Sequence, residues 1–375
     1  MRRRTLLVAL AGHRGRPVVF VPGVSAMASA PVLVSVVFCC VAGAPGPAPA
    51  DQQQKTAVEQ GLKYLASQQA ADGSWVMGGE KGEIGVTALC VLAFLSAGDV
   101  PGKGANGEVV TKGLRWLMGR QGDDGRIAIR PNREMYEHGL ATLALAEADA
   151  KAGPELRGEI TPKLAKAVAL IVKAQRTEGQ ARGGWRYWFE HRSGSDLSVT
   201  GWQVLALRAA REAGQTVPPE VEEQAVEFTR RCRLDKSGRF GYTPPPQSQG
   251  DTPSLNAMGL WILLPYDPGE ELSPEFKSGA DYLMAHLPAP KRDYYYYGTY
   301  LTALLSSFLD SEHARRTRAD MLASLRGQQE DSGAWPGVRE GDFGPNYCTA
   351  LAVLALTVDT RSIIIHKRPR PAKGN

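Results

Sequence analysis

The segment Gly183-Gly184-Trp185-Arg186-Tyr187-Trp188-Phe189-Glu190-His191-Arg192 runs directly into Asp196 and holds the residues best suited to chemistry. A histidine tuned by a carboxylate exchanges protons near neutral pH, so His191 and Asp196 are the candidate catalytic pair. The aromatic loop itself, with Trp185 and Trp188, fits a lid over a ligand. Asp196 has a competing role. An aspartate opening an apolar run caps the helix by accepting N–H bonds from residues 198 and 199.

Further candidates stand at the starts of other apolar runs: Tyr136 and His138, Ser198, Thr200 and Trp202, Asn256, Tyr294 to Tyr297, and Tyr347. These are the candidate ligand-binding residues. Tyrosine rings bound an apolar cavity while their hydroxyls stay wet, and they pack equally well between helices. On a helix the four consecutive tyrosines point several ways, so two of them are expected to face a cavity. No residue set is expected to hold a metal or cofactor.

The elements that must position these residues come in two kinds. One kind has a single apolar stripe and a charged back. Val58, Gly61, Leu62 and Leu65 show this spacing, as do Val110, Gly113, Leu114 and Leu117, and four later segments around Leu164, Val221, Phe276 and Met321. Such stripes mark surface helices. The other kind is apolar nearly all round, as in Thr87-Ala88-Leu89-Cys90-Val91-Leu92-Ala93-Phe94 and five further runs beginning at His138, Thr200, Asn256, Tyr297 and Thr349. Helices apolar on all sides are buried on all sides.

A register links the copies. Four residues after the last stripe anchor come Gln69, Gln121, Gln175, Cys232, Leu287 and Gln329, at intervals of about 42 to 57 residues. A polar glycine turn and an aromatic residue follow, as in Asp72-Gly73-Ser74-Trp75 and Ser332-Gly333-Ala334-Trp335. Gly73, Gly125, Gly179 and Gly333 supply the positive φ that such a turn favours. The glutamine reaches exposed backbone groups, and Trp75 packs as a lid on the helix end. Ile127 and Phe240 are weaker substitutes for the tryptophan. Six outer and six inner helices close into a ring or extend into an open solenoid. The first and last inner runs are as apolar as the middle ones, whereas an open array needs polar caps. Closure is therefore expected: an all-α, α/α toroid.

Repeats of the form Q-x-x-x-G-x-W, carried best by Gln69 to Trp75 and Gln329 to Trp335, resemble the terpene cyclase and protein prenyltransferase repeat family. The resemblance spans residues 52 to 358. It implies six helical hairpins closed into one toroid with a cavity among the inner-helix ends. Class II cyclases of that family carry a D-x-D-D-T-like acid motif. Here Asp196 and Thr200 match its ends, while Ser198 and Val199 replace the other two acids, which argues against that chemistry. No D-x-C zinc motif of the prenyltransferases and no GCGEQ thioester stretch occurs.

The 375-residue chain is 43% hydrophobic and 22% charged, ordinary globular composition for one large domain. The net charge of +5 is scattered, with no aromatic-basic pattern, so nucleic-acid binding is not expected. Residues 1–50 read as a signal peptide or leader, with apolar Ala30 to Ala44, a small-residue site near Ala48-Pro49-Ala50, and Met27 as an alternative start. Export is expected, and peripheral membrane contact is compatible with it. Residues 51–358 form the toroid, and 359–375 read as a basic disordered tail. Cys90, Cys232 and Cys348 are too far apart in sequence for a disulfide framework and read as small buried hydrophobes. The functional expectation is an exported protein that binds an apolar small molecule, isoprenoid or lipid, or an extended peptide, in its central cavity. An enzyme on isoprenoid substrates and a protein-interaction scaffold are the alternatives.

Overall fold

The computed structural model describes residues 49–79, 81–190, 194–234, 238–245, 252–267, 272–290, 292–337 and 343–370. Residues 1–48 of the expected leader lie outside these, and its last two, Pro49 and Ala50, open the first helix. The described chain is all-helical. The outer helices are α1 (Pro49–Ser67), α3 (Gly107–Gly119), α5 (Pro154–Ala174), α7 (Pro219–Arg231), α9 (Pro274–Ala285) and α11 (Glu312–Arg326). The inner ones are α2 (Ile84–Ala97), α4 (Glu134–Asp149), α6 (Leu197–Glu212), α8 (Pro253–Leu263), α10 (Tyr295–Ser306) and α12 (Gly344–Leu356). Each inner helix packs on the next, and α12 packs back on α2, so the ring is closed. Most of each inner helix is buried, which is why its sequence lacks a polar face.

The repeat motif is a set of backbone ties. The Gln69 amide donates to Gly73 O at 3.0 Å and to Val109 O at 2.9 Å. Gln121 bonds Gly125 O and Lys163 O, Gln175 bonds Gly183 O and Val221 O, and Gln329 bonds Gly333 O and Ala57 O. One side chain thus joins its own turn to the following outer helix. Each tryptophan indole donates to the carbonyl of the stripe anchor: Trp75 to Leu65, Trp185 to Ile171 and Trp335 to Leu325, at 2.7 to 2.8 Å. Those carbonyls lie in the last turn of a helix, where the regular i+4 donors run out, and Leu65 O and Leu325 O also take the N–H of Gln68 and Gln328 at 3.1 Å. In the third copy the turn glycine is Gly183, not Gly179. Gly183 has φ +84°, and a Cβ there would sit 2.0 Å from Gln224 O, whereas Gly179 faces open space. The four-residue insertion moved the turn.

The seam joins the two ends of the repeat array. α1 packs on α12, Gln54 Nε2 donates to Leu356 O at 2.7 Å, and Gln329 reaches Ala57. Gly61 in α1 leaves room for the Trp335 ring, which a Cβ would meet at 2.9 Å.

The tail departs from expectation. Residues 358–366 form two short 3₁₀ turns, with Ile363, Ile365 and His366 buried. The Ile363-Ile364-Ile365 run has too much apolar surface to stay in water, and burying it outweighs the charge around it.

Candidate functional site

Asp196 lies at the N-terminus of α6 and is 0% exposed. Its Oδ1 accepts from Val199 N at 2.9 Å, which caps the helix, and from Ser198 Oγ at 2.7 Å. The Tyr136 hydroxyl, from the first turn of α4, makes a short hydrogen bond to Ser198 Oγ. On the other side, Arg186 stands 3.2 Å from Oδ2. Its guanidinium lies over the rings of Tyr187 at 4.6 Å and Tyr242 at 5.2 Å, and those two hydroxyls bond each other. Tyr242 O also takes the N–H of Leu197. One turn into the ring, Trp202 stacks on Tyr297 with centroids 5.8 Å apart.

Burial pushes the Asp196 carboxyl above its ordinary range, while the Val199 N–H, Ser198 and Arg186 pull the other way. Burial also raises the hydroxyls of Tyr136, Tyr242 and Tyr297, and the Asp196 charge adds to each. Tyr136, Tyr187, Tyr242 and Tyr297 are nonetheless only half-buried as side chains. These four residues thus keep some accessible surface around the Asp196–Arg186 pair.

The structure therefore brings Asp196, Ser198, Tyr136, Trp202 and Tyr297 together. It places other candidates elsewhere. His191 lies outside the described residues. Thr200, His138 and Asn256 accept the N–H of the turn residues Trp185, Ile127 and Phe240 at 2.8 to 3.1 Å, as Thr87 and Thr349 do for Trp75 and Trp335. His138 spends both ring nitrogens this way. Nδ1 accepts from Ile127, so Nε2 carries the proton and donates to Ala167 O at 3.0 Å. Burial lowers its pKa to about 4. Trp185 is fully buried as a helix-end lid, and Trp188 packs edge-on against Tyr187. Tyr347 stacks on Phe343, which in turn lies under Arg133. Tyr294 is 54% exposed with φ +59°. Of the four consecutive tyrosines, Tyr295 meets Gln328 and Tyr296 bonds Pro336 O, which leaves Tyr297, stacked on Trp202, as the one near Asp196.

Sequence reasoning missed Arg186, Tyr187 and Tyr242 as partners of Asp196. A signal existed: Tyr187 and Tyr242 each stand two residues after the turn aromatic of their repeat, Trp185 and Phe240. Among the described residues, no group of three or more His, Cys, Asp or Glu side chains could hold a metal ion. Among the described residues, Cys90, Cys232 and Cys348 are buried and form no disulfide, and Cys232 is pushed up to about 12 by burial. A separate cleft of about 320 Å³ at the tail, lined by Ser307, Phe308, Asp310, Arg361, Lys367 and Arg368, contains none of the predicted site residues.

This closed double ring of helices makes the chain an α/α toroid. No protein-family model and no curated protein matches the sequence. Solved structures do. A type II terpene cyclase from Scytonema, in complex with the substrate geranylgeranyl dihydroxybenzoate, superimposes with a TM-score of 0.58 at 13% identity, covering 82% of this chain and 98% of that one. An α-1,6-mannanase from Salegentibacter gives 0.62 at 10% identity, covering 82% and 99%. The cellobiose 2-epimerase of Spirochaeta thermophila gives 0.61 at 13%, covering 83% and 98%. At these identities the likeness concerns the fold.

Proposed function

We propose that the chain is an exported toroid that binds a small organic molecule in the recess over Asp196. The observation that carries this reading is the composition of that site: half-buried tyrosines and the Trp202–Tyr297 stack around a buried Asp196 paired with a half-buried Arg186. The rings offer an apolar wall, and Arg186, with 22% of its side-chain surface accessible, offers a donor to an acceptor group on the ligand. Such a site suits an amphiphile with a hydrocarbon or aromatic body and one oxygen-bearing end. The folds of the neighbours support the reading, since toroids of this kind accept an isoprenoid substrate in one protein and mannan oligosaccharides in another. Asp196 serves here as cap and as counter-ion that holds Arg186 between two rings.

The test is mass spectrometry of small molecules extracted from the purified domain, alongside thermal shifts with prenyl alcohols, fatty acids and oligosaccharides. A bound amphiphile that is lost in Trp202→Ala and Tyr297→Ala supports the reading. An empty protein that no member of the panel stabilises overturns it. The raised pKa of Asp196 favours a second reading, an acid that protonates an isoprenoid substrate. Turnover of a prenyl substrate that vanishes in Asp196→Asn would select it.

A further inference from the structure

The far end of the ring is closed by the chain's own tail. Glu147, in the last turn of α4, accepts Ile364 N at 2.6 Å and Ile365 N at 2.9 Å, one on each carboxylate oxygen. Arg361 holds the turn from the other side, donating to Ser307 O at 2.8 Å, to Ser307 Oγ at 3.0 Å and to His366 O. Held at both points, the tail carries the His366 imidazole into the ring, where it is 0% exposed and 6.0 Å from the Tyr300 ring of α10.

Neither nitrogen of that imidazole makes a hydrogen bond among the described residues, and neither does the Tyr300 hydroxyl. The Thr357 carbonyl stands close enough to favour the charged imidazole, but not in the geometry of a hydrogen bond. A neutral imidazole has one donor and one acceptor, and a phenol has one of each. Each group left unpaired in a dry core costs about 1–3 kcal/mol. Three orphaned atoms in one place would be a heavy penalty for a position that leucine could fill. Buried groups of this kind are ordinarily satisfied by internal water with two to four polar partners. Glu147 adds acceptor capacity, since two bonds leave lone pairs on its carboxylate. Charged occupants are disfavoured, because Arg361, Lys151 and Lys367 oppose a cation and burial opposes any unpaired ion.

We propose that the floor of the ring is a buried hydration site in which ordered water bridges His366 and Tyr300, so that the tail completes a polar chamber and does not merely plug an apolar core. This rests on the floor geometry alone and is independent of the recess over Asp196.

The experiment uses the full chain. His366→Leu, Tyr300→Phe and the double variant are unfolded with denaturant. If water bridges the two groups, each single change moves the equilibrium toward the unfolded chain, and the pair couples by about threefold or more in the unfolding constant. Stabilisation by His366→Leu, or coupling below that level, overturns the proposal, because a dry imidazole gains by becoming apolar. Should the variants fail to fold, a high-resolution crystal structure of the wild-type chain decides. Density for water within about 3.2 Å of His366 and Tyr300 is expected, and an empty apolar gap overturns the proposal.

Discussion

Replacing Gln175 separates the repeat's ties from its packing. Gln175 is 5% exposed, and its one amide donates to Gly183 O at 2.9 Å and Val221 O at 2.8 Å. Alanine removes both bonds, each worth a net of about 0.5–1.5 kcal/mol, and leaves two carbonyls facing a small void. The expected loss is about 2–3 kcal/mol by denaturant unfolding, read by circular dichroism. Gln175→Glu keeps the shape but turns an oxygen toward each carbonyl. Only the protonated acid can donate, and then only once, so this variant should be weaker at pH 8 than at pH 5, while the alanine variant shows no such extra pH term. Gln69, Gln121 and Gln329 make the same paired bonds from half-buried positions, so their alanine variants should lose about 1–2 kcal/mol. A Gln175→Ala protein within about 0.5 kcal/mol of wild type would refute the idea that these amides hold the ring.

Other substitutions test neighbouring points. Gly183→Ala must adopt φ +84° and displace Gln224 O, so it should fail to express as folded protein, whereas Gly179→Ala, in open space, should fold with only the strain of φ +58°. His138→Asn keeps an acceptor for Ile127 N, as Asn256 does for Phe240, and should be milder than His138→Ala by about 1 kcal/mol in thermal or chemical unfolding. Stability should also follow pH in opposite directions at two kinds of site. His138 and His366 fold neutral, with pKa lowered to about 4 and about 3, so their contribution is full above pH 6.5 and is lost as pH falls. Glu147 has its pKa raised to about 7, so its contribution is full below pH 4.5 and is lost as pH rises toward 7. Glu147→Gln loses one of the two N–H acceptors but also this pH dependence, so the difference between variant and wild type should move in the variant's favour by up to about 3 kcal/mol from pH 4.5 to pH 7, measured as unfolding free energy against pH.

The fold was legible because its signals are local. A glutamine four residues beyond the anchor, a glycine turn and a tryptophan are enough to tie one outer helix to the next, and all three sit within a few residues. Asp196, Ser198, Tyr136, Trp202 and Tyr297 were also legible, as polar or aromatic residues opening inner helices. His138, Thr200 and Asn256 share that position yet serve the turns, and composition alone does not separate the two uses. Their spacing does: each lies 11 to 16 positions after the large apolar turn residue whose N–H needs an acceptor. Arg186 and Tyr242 were hidden because they meet Asp196 only through tertiary contact between two loops. The tail was misread because its basic residues outnumber three isoleucines whose burial decides the outcome.

The seam sets an order of events in synthesis. Gln54 and Leu356 are 302 positions apart, so α1 leaves the ribosome long before the surface it packs on exists. Contacts of that span make folding slow, and a chain cut short anywhere before α12 should expose the waiting face of α1 to chaperones and to other chains. The same adjacency makes the molecule a candidate for circular permutation. A linker long enough to run from the tail, whose Arg370 pairs with Glu212 of α6, back to α1, with new termini placed in another outer turn, should restore the ring and move the late step to a different pair of helices.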